Sequence, residues 1–333
     1  MSKSLVFITG ATGFIGAHVV SATLKAGYRV RLSIRKAEQE DAIRKRYAEF
    51  NKDIEIFLIP DLSSVDSLKA ALENVDYVFH IASPMPGSGD DLQRDYVTPA
   101  VQATLSMLNA ASAHKQIKKV IIVSSALALT PVDALIAKKV IVRENTGEVI
   151  PFDPSMSFPE GPGGYGLKYA ASKIVAHQAT RDFLRDEKPH YKVLTIHPVF
   201  VLGDDMLQTT AEGLAGMNKF FYQSFFSEKP HIGNAWVHVR DVADAHVKAL
   251  ETDAESGTEF TLSLPHVSWE DTARFAEKKY PGLGYKLEPP FEVSWDVQNT
   301  AAEQILGLKW RSAEKIVEDV FDQQLALQAK VAN

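Results

Sequence analysis

Tyr169 and Lys173 stand four residues apart in Tyr169-Ala-Ala-Ser-Lys173, within residues 165–187, whose apolar spacing predicts a helix. On a helix that spacing stacks two side chains on one face. A phenol titrates near pH ~10, and a cation one turn away favours its phenolate. The pair therefore suits general acid–base chemistry, although the same two residues also suit a solvated helix face. Ser124 and Ser125 close a second candidate element, the apolar run 119–125. A hydroxyl at the carboxyl end of a strand can donate to a substrate carbonyl, or it can simply form a turn.

A third group lies near the N-terminus, in Thr9-Gly10-Ala-Thr-Gly13-Phe-Ile-Gly16. An apolar strand (residues 5–8) precedes it, and a helix (14–26) closed by Gly27 follows. Gly10 permits a tight turn, Gly13 lets backbone approach a pyrophosphate, and Gly16 allows close packing of helix and strand. Gly10, Thr12, Gly13, Phe14, Ile15 and Gly16 are thus candidate dinucleotide contacts, facing the positive end of a helix.

The second strand, 29–34, runs into Arg35-Lys36. A carboxylate here would bind the ribose 2′-hydroxyl of NAD, but the positions hold Ser33, Ile34 and Arg35. A guanidinium suits a 2′-phosphate, which favours NADP(H). Asp61 and Leu62 follow the third strand (54–59) and suit an adenine amine and ring; Asp61 equally suits capping a helix from Ser63. The fourth strand, 75–80, leads to Ile81, Ala82, Ser83 and Pro84, small residues able to pass beneath a cofactor. After a helix at 91–113 and the strand at 119–125, a sixth strand (191–196) ends at His197-Pro198-Val199. There the proline fixes backbone that would lie against the cofactor. Successive βα units predict an α/β Rossmann fold, a doubly wound parallel sheet with ligand at the strands' carboxyl ends.

Beyond Gly203 the pattern changes. Residues 209–226 predict a helix bearing Met217, Phe220, Phe221, Phe225 and Phe226. Met217, Phe221 and Phe200 are candidate pocket residues beside Pro84 and Ser125; plain core packing is the alternative for such a stripe. The expected division is a dinucleotide-binding domain of residues 1–197 and 236–257, with a smaller substrate lobe of 198–235 and 258–333.

Bulk properties narrow the function. The 333 residues are 45% hydrophobic and 23% charged, as in an ordinary globular protein. A net charge of −6 offers no basic footprint for nucleic acid or anionic lipid. There is no cysteine, which excludes disulfides and thiolate chemistry. No HExxH motif, carboxylate cluster or hydrolase triad spacing proposes a metal or a nucleophile. Neither a signal peptide nor a membrane span is expected, so the reading is a cytoplasmic protein, monomer or homodimer, acting on a small molecule.

Taken together, the glycine motif at 9–16, the serines closing strand five and Tyr169-x-x-x-Lys173 resemble the extended short-chain dehydrogenase/reductases. Within that family the chain is most similar to the dihydroflavonol reductase-like and methylglyoxal (ketone) reductase-like branch. The likeness is carried by Phe79-His-Ile-Ala-Ser-Pro84, Tyr96-Val-Thr-Pro-Ala-Val101, Ile122-Val-Ser-Ser125, His197-Pro-Val-Phe-Val-Leu-Gly203 and Trp236-Val-His-Val-Arg-Asp-Val-Ala-Asp-Ala-His246. It implies NADPH-dependent reduction of a ketone or aldehyde. Tyr169 would protonate the carbonyl oxygen, Lys173 would bind the nicotinamide ribose and lower the phenol's pKa, and Ser125 would orient the carbonyl. The family's frequent Gly-Thr-x-Asn is Ala103-Thr-Leu-Ser106 here, and its frequent asparagine before the last proline is His197. Two alternatives share the fold: a sugar-nucleotide epimerase or dehydratase, and a non-enzymatic NADP-binding regulator.

Overall fold

The computed structural model describes residues 3–83, 89–292 and 295–332. Its strands are β1 (Leu5–Thr9), β2 (Arg29–Ile34), β3 (Ile54–Leu58), β4 (Tyr77–His80), β5 (Lys119–Val123), β6 (Val140–Val142), β7 (Lys192–Pro198), β8 (Phe200–Leu202), β9 (Trp236–His238), β10 (Glu259–Leu262) and β11 (Trp295–Val297). The helices are α1 (Phe14–Lys25), α2 (Gln39–Arg46), α3 (Val65–Ala71), α4 (Thr98–Ser112), α5 (Val132–Ile136), α6 (Pro162–Glu187), α7 (Gly216–Ser224), α8 (Val239–Glu251), α9 (Trp269–Lys279), α10 (Thr300–Gln304) and α11 (Ala313–Ala332).

Seven strands form one sheet in the order β10-β7-β5-β4-β1-β2-β3, every neighbouring pair parallel. Helices cover both faces, so β1 and β5 are buried along their whole length and carry the apolar runs Leu5–Ile8 and Val120–Val123. The register pairs Thr9 with His80 and Val123 with Ile196, which brings the carboxyl ends of β1, β4, β5 and β7 to one rim. Gly10, Ile81, Ser125 and Pro198 all lie along that rim. The expected doubly wound α/β architecture is the one observed.

Several elements differ from the sequence reading. The strand 259–262, expected in the smaller lobe, is the edge strand of the main sheet, paired to β7. Conversely, β9, within the 236–257 segment expected in the dinucleotide-binding domain, pairs with β8 and not with the main sheet. The expected 91–113 helix is a π-helical turn (Gln93–Val97) followed by α4, with Pro99 in the first turn of α4; proline lacks the N–H an α-turn would use there. The expected 209–226 helix is only α7, preceded by a short turn, because Gly216 has φ +56°. Phe221 is wholly buried among Phe225, Trp236 and Trp269, with ring centroids 5.1–5.6 Å away. It is therefore a core residue rather than a pocket wall, since aromatic edge-to-face packing consumes its surface. Among the described residues no helix is long and apolar enough to cross a membrane.

Candidate active site

The glycine loop is shaped by two close approaches. A Cβ at Gly10 would sit 2.8 Å from the Ala82 nitrogen, and one at Gly16 would sit 2.0 Å from the Gly10 carbonyl oxygen. Gly10 also has φ +76°. Gly13 is different: it is exposed, and a Cβ there would meet only the Gly10 oxygen at 3.4 Å. No protein neighbour forces glycine at 13, which fits a ligand approaching from outside. Gly13 caps α1 without a side-chain hydrogen bond, so the first-turn N–H groups, from Phe14 onward, keep their positive end available to an anion. The residues present therefore fit a dinucleotide pyrophosphate.

Thr9, which the sequence reading passed over, joins this loop to the end of β4. Its Oγ1 accepts the Ile81 N–H at 3.1 Å and the Ala82 N–H at 3.2 Å. With both lone pairs taken, its proton goes to His80 Nδ1, 3.1 Å away. His80 is buried, and desolvation, then the charge of Lys173, brings its pKa down to about 4. A neutral ring is thus fixed as the Nε2–H tautomer. Thr9→Val keeps the shape but leaves two inward N–H groups unpaired. We expect it to lower stability in urea melts by about 1–3 kcal/mol, and to weaken dinucleotide binding as residues 81–83 drift.

At the end of β2 the Arg35 and Lys36 side chains are exposed, while their backbone N–H groups donate to Gln39 Oε1 at 3.0 and 3.1 Å. Gln39 Nε2 reaches Thr12 Oγ1 at 3.4 Å. This glutamine, another residue missed in the sequence, ties the basic turn to the glycine loop; its signal was its place four residues after Arg35, at the start of a helix. Asp61 is exposed and accepts both the Ser63 N–H at 2.8 Å and the Ser63 hydroxyl at 2.7 Å, which lower its pKa. The cap of α3 is instead Ser64, whose hydroxyl accepts the Ser67 N–H. Leu62 packs on the core beside it. Ser106 donates to the Ser63 carbonyl at 2.9 Å and so anchors this loop to α4.

Tyr169 and Lys173 share one face of α6, with the Lys173 ammonium 5.4 Å from the Tyr169 ring centroid. Lys173 Nζ donates to Ser83 Oγ at 2.9 Å, which links α6 to the run after β4. Burial brings the Lys173 pKa down to about 8 and pushes the Tyr169 phenol above its ordinary value. The expected lowering of the phenol by Lys173 is not what the structure gives. The ammonium lies over the ring and is directed at Ser83, and desolvation of the phenolate dominates.

Ser125 precedes a short 3₁₀ turn (Ala126–Leu129) packed against α6, and its Oγ accepts the Leu127 N–H at 3.2 Å. The hydroxyl proton is left to donate elsewhere. His197 is wholly buried, so its side chain does not face a ligand. Phe200 is half-buried, edge-on to Trp295 at 5.3 Å, and Met217 packs on the core from α7. Pro84 lies outside the described residues.

One cluster of metal-ligating types exists among the described residues, Asp204, His238 and Asp319. Arg240 pairs with both carboxylates and Lys315 with Asp319, so their charge is already met by cations of the chain.

Comparison with known proteins shows the family and the fold. The model of the NAD dependent epimerase/dehydratase family matches residues 6–262. Ketoreductase sphI of Aspergillus fumigatus is 35% identical over 98% of both chains. The (2S)-flavan-3-ol-forming anthocyanidin reductase of Vitis vinifera is 27% identical, covering 87% of this chain and 85% of its own. Among solved structures, yeast methylglyoxal/isovaleraldehyde reductase Gre2 complexed with NADPH superposes with a TM-score of 0.82 at 22% identity, over 98% of this chain and 99% of that one. That last likeness is one of fold.

Proposed function

We propose, from the premise that this chain belongs to the NAD dependent epimerase/dehydratase family, that it is an NADPH-dependent carbonyl reductase converting a ketone or aldehyde to an alcohol. One observation carries the reading: Tyr169 and Lys173 share a face of α6, with Lys173 bound to Ser83 at the rim where the glycine loop ends. Relatives named as a ketoreductase and an anthocyanidin reductase support the reaction class.

The nicotinamide, when bound, supplies the hydride. Gly10, Gly13 and Gly16 bring backbone and the α1 N-terminus to the pyrophosphate, and Arg35 with Lys36 meets the 2′-phosphate. Ser125 donates its free hydroxyl proton to the substrate carbonyl and polarises it. Tyr169, kept protonated by burial, delivers its proton to the same oxygen as charge develops there. Lys173, bound to Ser83, would hold the ribose, and its positive charge stabilises the phenolate that Tyr169 becomes on giving up its proton. Residues 198–235 and 258–333, apart from the strand at 259–262, supply the substrate lobe.

Purified protein mixed with NADPH and a panel of diketones, aromatic ketones and dihydroflavonols is expected to consume the cofactor. Failure to oxidise NADPH with every member sinks the proposal. Tightly held NAD without net consumption would instead favour epimerisation or dehydration, against which the basic turn at 35–36 argues. Arg35→Ala removes a charge-assisted contact to the 2′-phosphate. We expect KM for NADPH to rise about 10- to 100-fold while kcat/KM with NADH stays near wild type. An equal loss with both cofactors would refute the assignment of Arg35.

A further inference from the structure

We propose that His197 is a positioning residue that sets the Ser125 hydroxyl against the helix bearing Tyr169 and Lys173; this rests on the carbonyl reductase reading. The imidazole lies between the two. Its Nδ1 is 3.0 Å from the Ser125 carbonyl oxygen, and its Nε2 is 2.8 Å from Thr195 Oγ1. A carbonyl only accepts, so Nδ1 carries the proton. Nε2 is then the acceptor, and Thr195 donates to it. One tautomer satisfies both bonds, and the ring has no solvent exposure through which to exchange it. Burial and the neighbouring His177 bring the His197 pKa down to about 3, so the ring stays neutral across the working range.

The other face of the ring is braced by α6. His177 packs edge-on to His197, with centroids 4.6 Å apart, and its Nε2 is held by Glu259 Oε1 at 2.8 Å. His177 follows Lys173 by one turn and Tyr169 by two on the same helix face. The backbone bond to Ser125 and the ring contact to α6 therefore run through a single rigid imidazole. Ser125 accepts the Ala128 N–H at its carbonyl and the Leu127 N–H at its Oγ, both within its own turn, so of these bonds the one from His197 is what ties the residue to β7. Loss of the His197 bond leaves the turn intact but frees it to shift against β7 and α6, and a displacement of about 1 Å at a reacting group can cost 10²-fold.

Four variants and one spectroscopic measurement decide the matter. His197→Leu removes the donor, and kcat for carbonyl reduction is expected to fall about 10- to 100-fold with the NADPH dissociation constant little changed. In a Ser125→Ala background the same change should cost less than about threefold, because the group being positioned is gone. His197→Asn places an amide nitrogen where Nδ1 stood, and should recover most of what the leucine loses. If His197→Leu fails to fold, Thr195→Val takes its place in the cycle, with a smaller loss of the same kind. Losses that multiply in the double variant overturn the proposal, as does a loss confined to NADPH binding. Independently of turnover, the imidazole nitrogen resonances of His197 should show a neutral Nδ1–H ring between about pH 5 and 9. An Nε2–H ring, or one titrating in that range, also overturns it. A wild type inactive on every carbonyl would count against the reductase reading, while the resonances would still judge the tautomer lock.

Discussion

Tyr169→Phe is expected to lower kcat for carbonyl reduction by about 10²–10⁴-fold, the range a positioned general acid contributes. The substitution removes one oxygen and keeps the ring on which the Lys173 ammonium rests. NADPH binding should therefore stay close to wild type, separating lost chemistry from lost affinity. Reduction consumes a proton, and burial favours the protonated phenol. In this direction the tyrosine is loaded at neutral pH, and the group that titrates first is Lys173, brought down to about 8. A base with a lowered pKa is charged below that value and loses its charge as pH rises through it. The kcat/KM for reduction should hold on the acid side and decline above about pH 8, and Lys173→Met should abolish that limb along with most of the activity. Alcohol oxidation by NADP⁺ needs the phenolate and should instead rise with pH. Undiminished turnover by the phenylalanine variant would remove Tyr169 from the mechanism, whatever the pH profiles showed.

What could be read before any coordinates was local. Gly10, Gly13 and Gly16 declare themselves because a turn, an exposed approach and a close packing must occur within eight residues. Tyr169 and Lys173 declare themselves because a helix converts a spacing of four into a shared face. The central parallel strands are legible as unbroken apolar runs. Contacts made at long range were not. The strand 259–262 pairs with β7 across more than sixty residues, and its own sequence, Glu-Phe-Thr-Leu, says nothing of which sheet it joins. Thr9 looks like an ordinary strand residue until the rim brings Ile81 and Ala82 to its hydroxyl. The aromatic stripe around Phe221 carries the same pattern whether it faces a ligand or Trp236 and Trp269, and only the fold distinguishes them. The Lys173–Tyr169 relation was legible in position but not in electrostatics, because desolvation depends on everything packed around the pair.

Glu259 offers the largest expected effect on stability. Its side chain is 3% exposed and sits on the edge strand β10, where carboxylates are uncommon inside a sheet. Four donors meet it: the Asn145 N–H at 2.7 Å, His177 Nε2 at 2.8 Å, Arg181 Nε at 3.0 Å and Arg181 Nη2. Burial alone would raise its pKa. The hydrogen bonds from His177 and Arg181 outweigh that cost, joined only in acid by the charge His197 gains below about 3, and hold it at about 2, against 4.5 for the free side chain. Its folded pKa is depressed, so its stabilisation is fully present above the unfolded value and is lost as pH falls from about 4.5 through about 2. Glu259→Gln keeps the shape, but whichever way the amide turns its NH2 faces a donor, the Asn145 N–H on one side or His177 and Arg181 on the other, and the Arg181 charge loses its carboxylate. At pH 7 it should lose about 3–5 kcal/mol in urea melts. The wild type should lose stability on acidification in a way the variant does not, so the two melting midpoints converge toward about pH 2. A variant within about 1 kcal/mol of wild type at pH 7, or curves that stay parallel down to low pH, would show that the carboxylate is not what holds β10, Asn145 and α6 together.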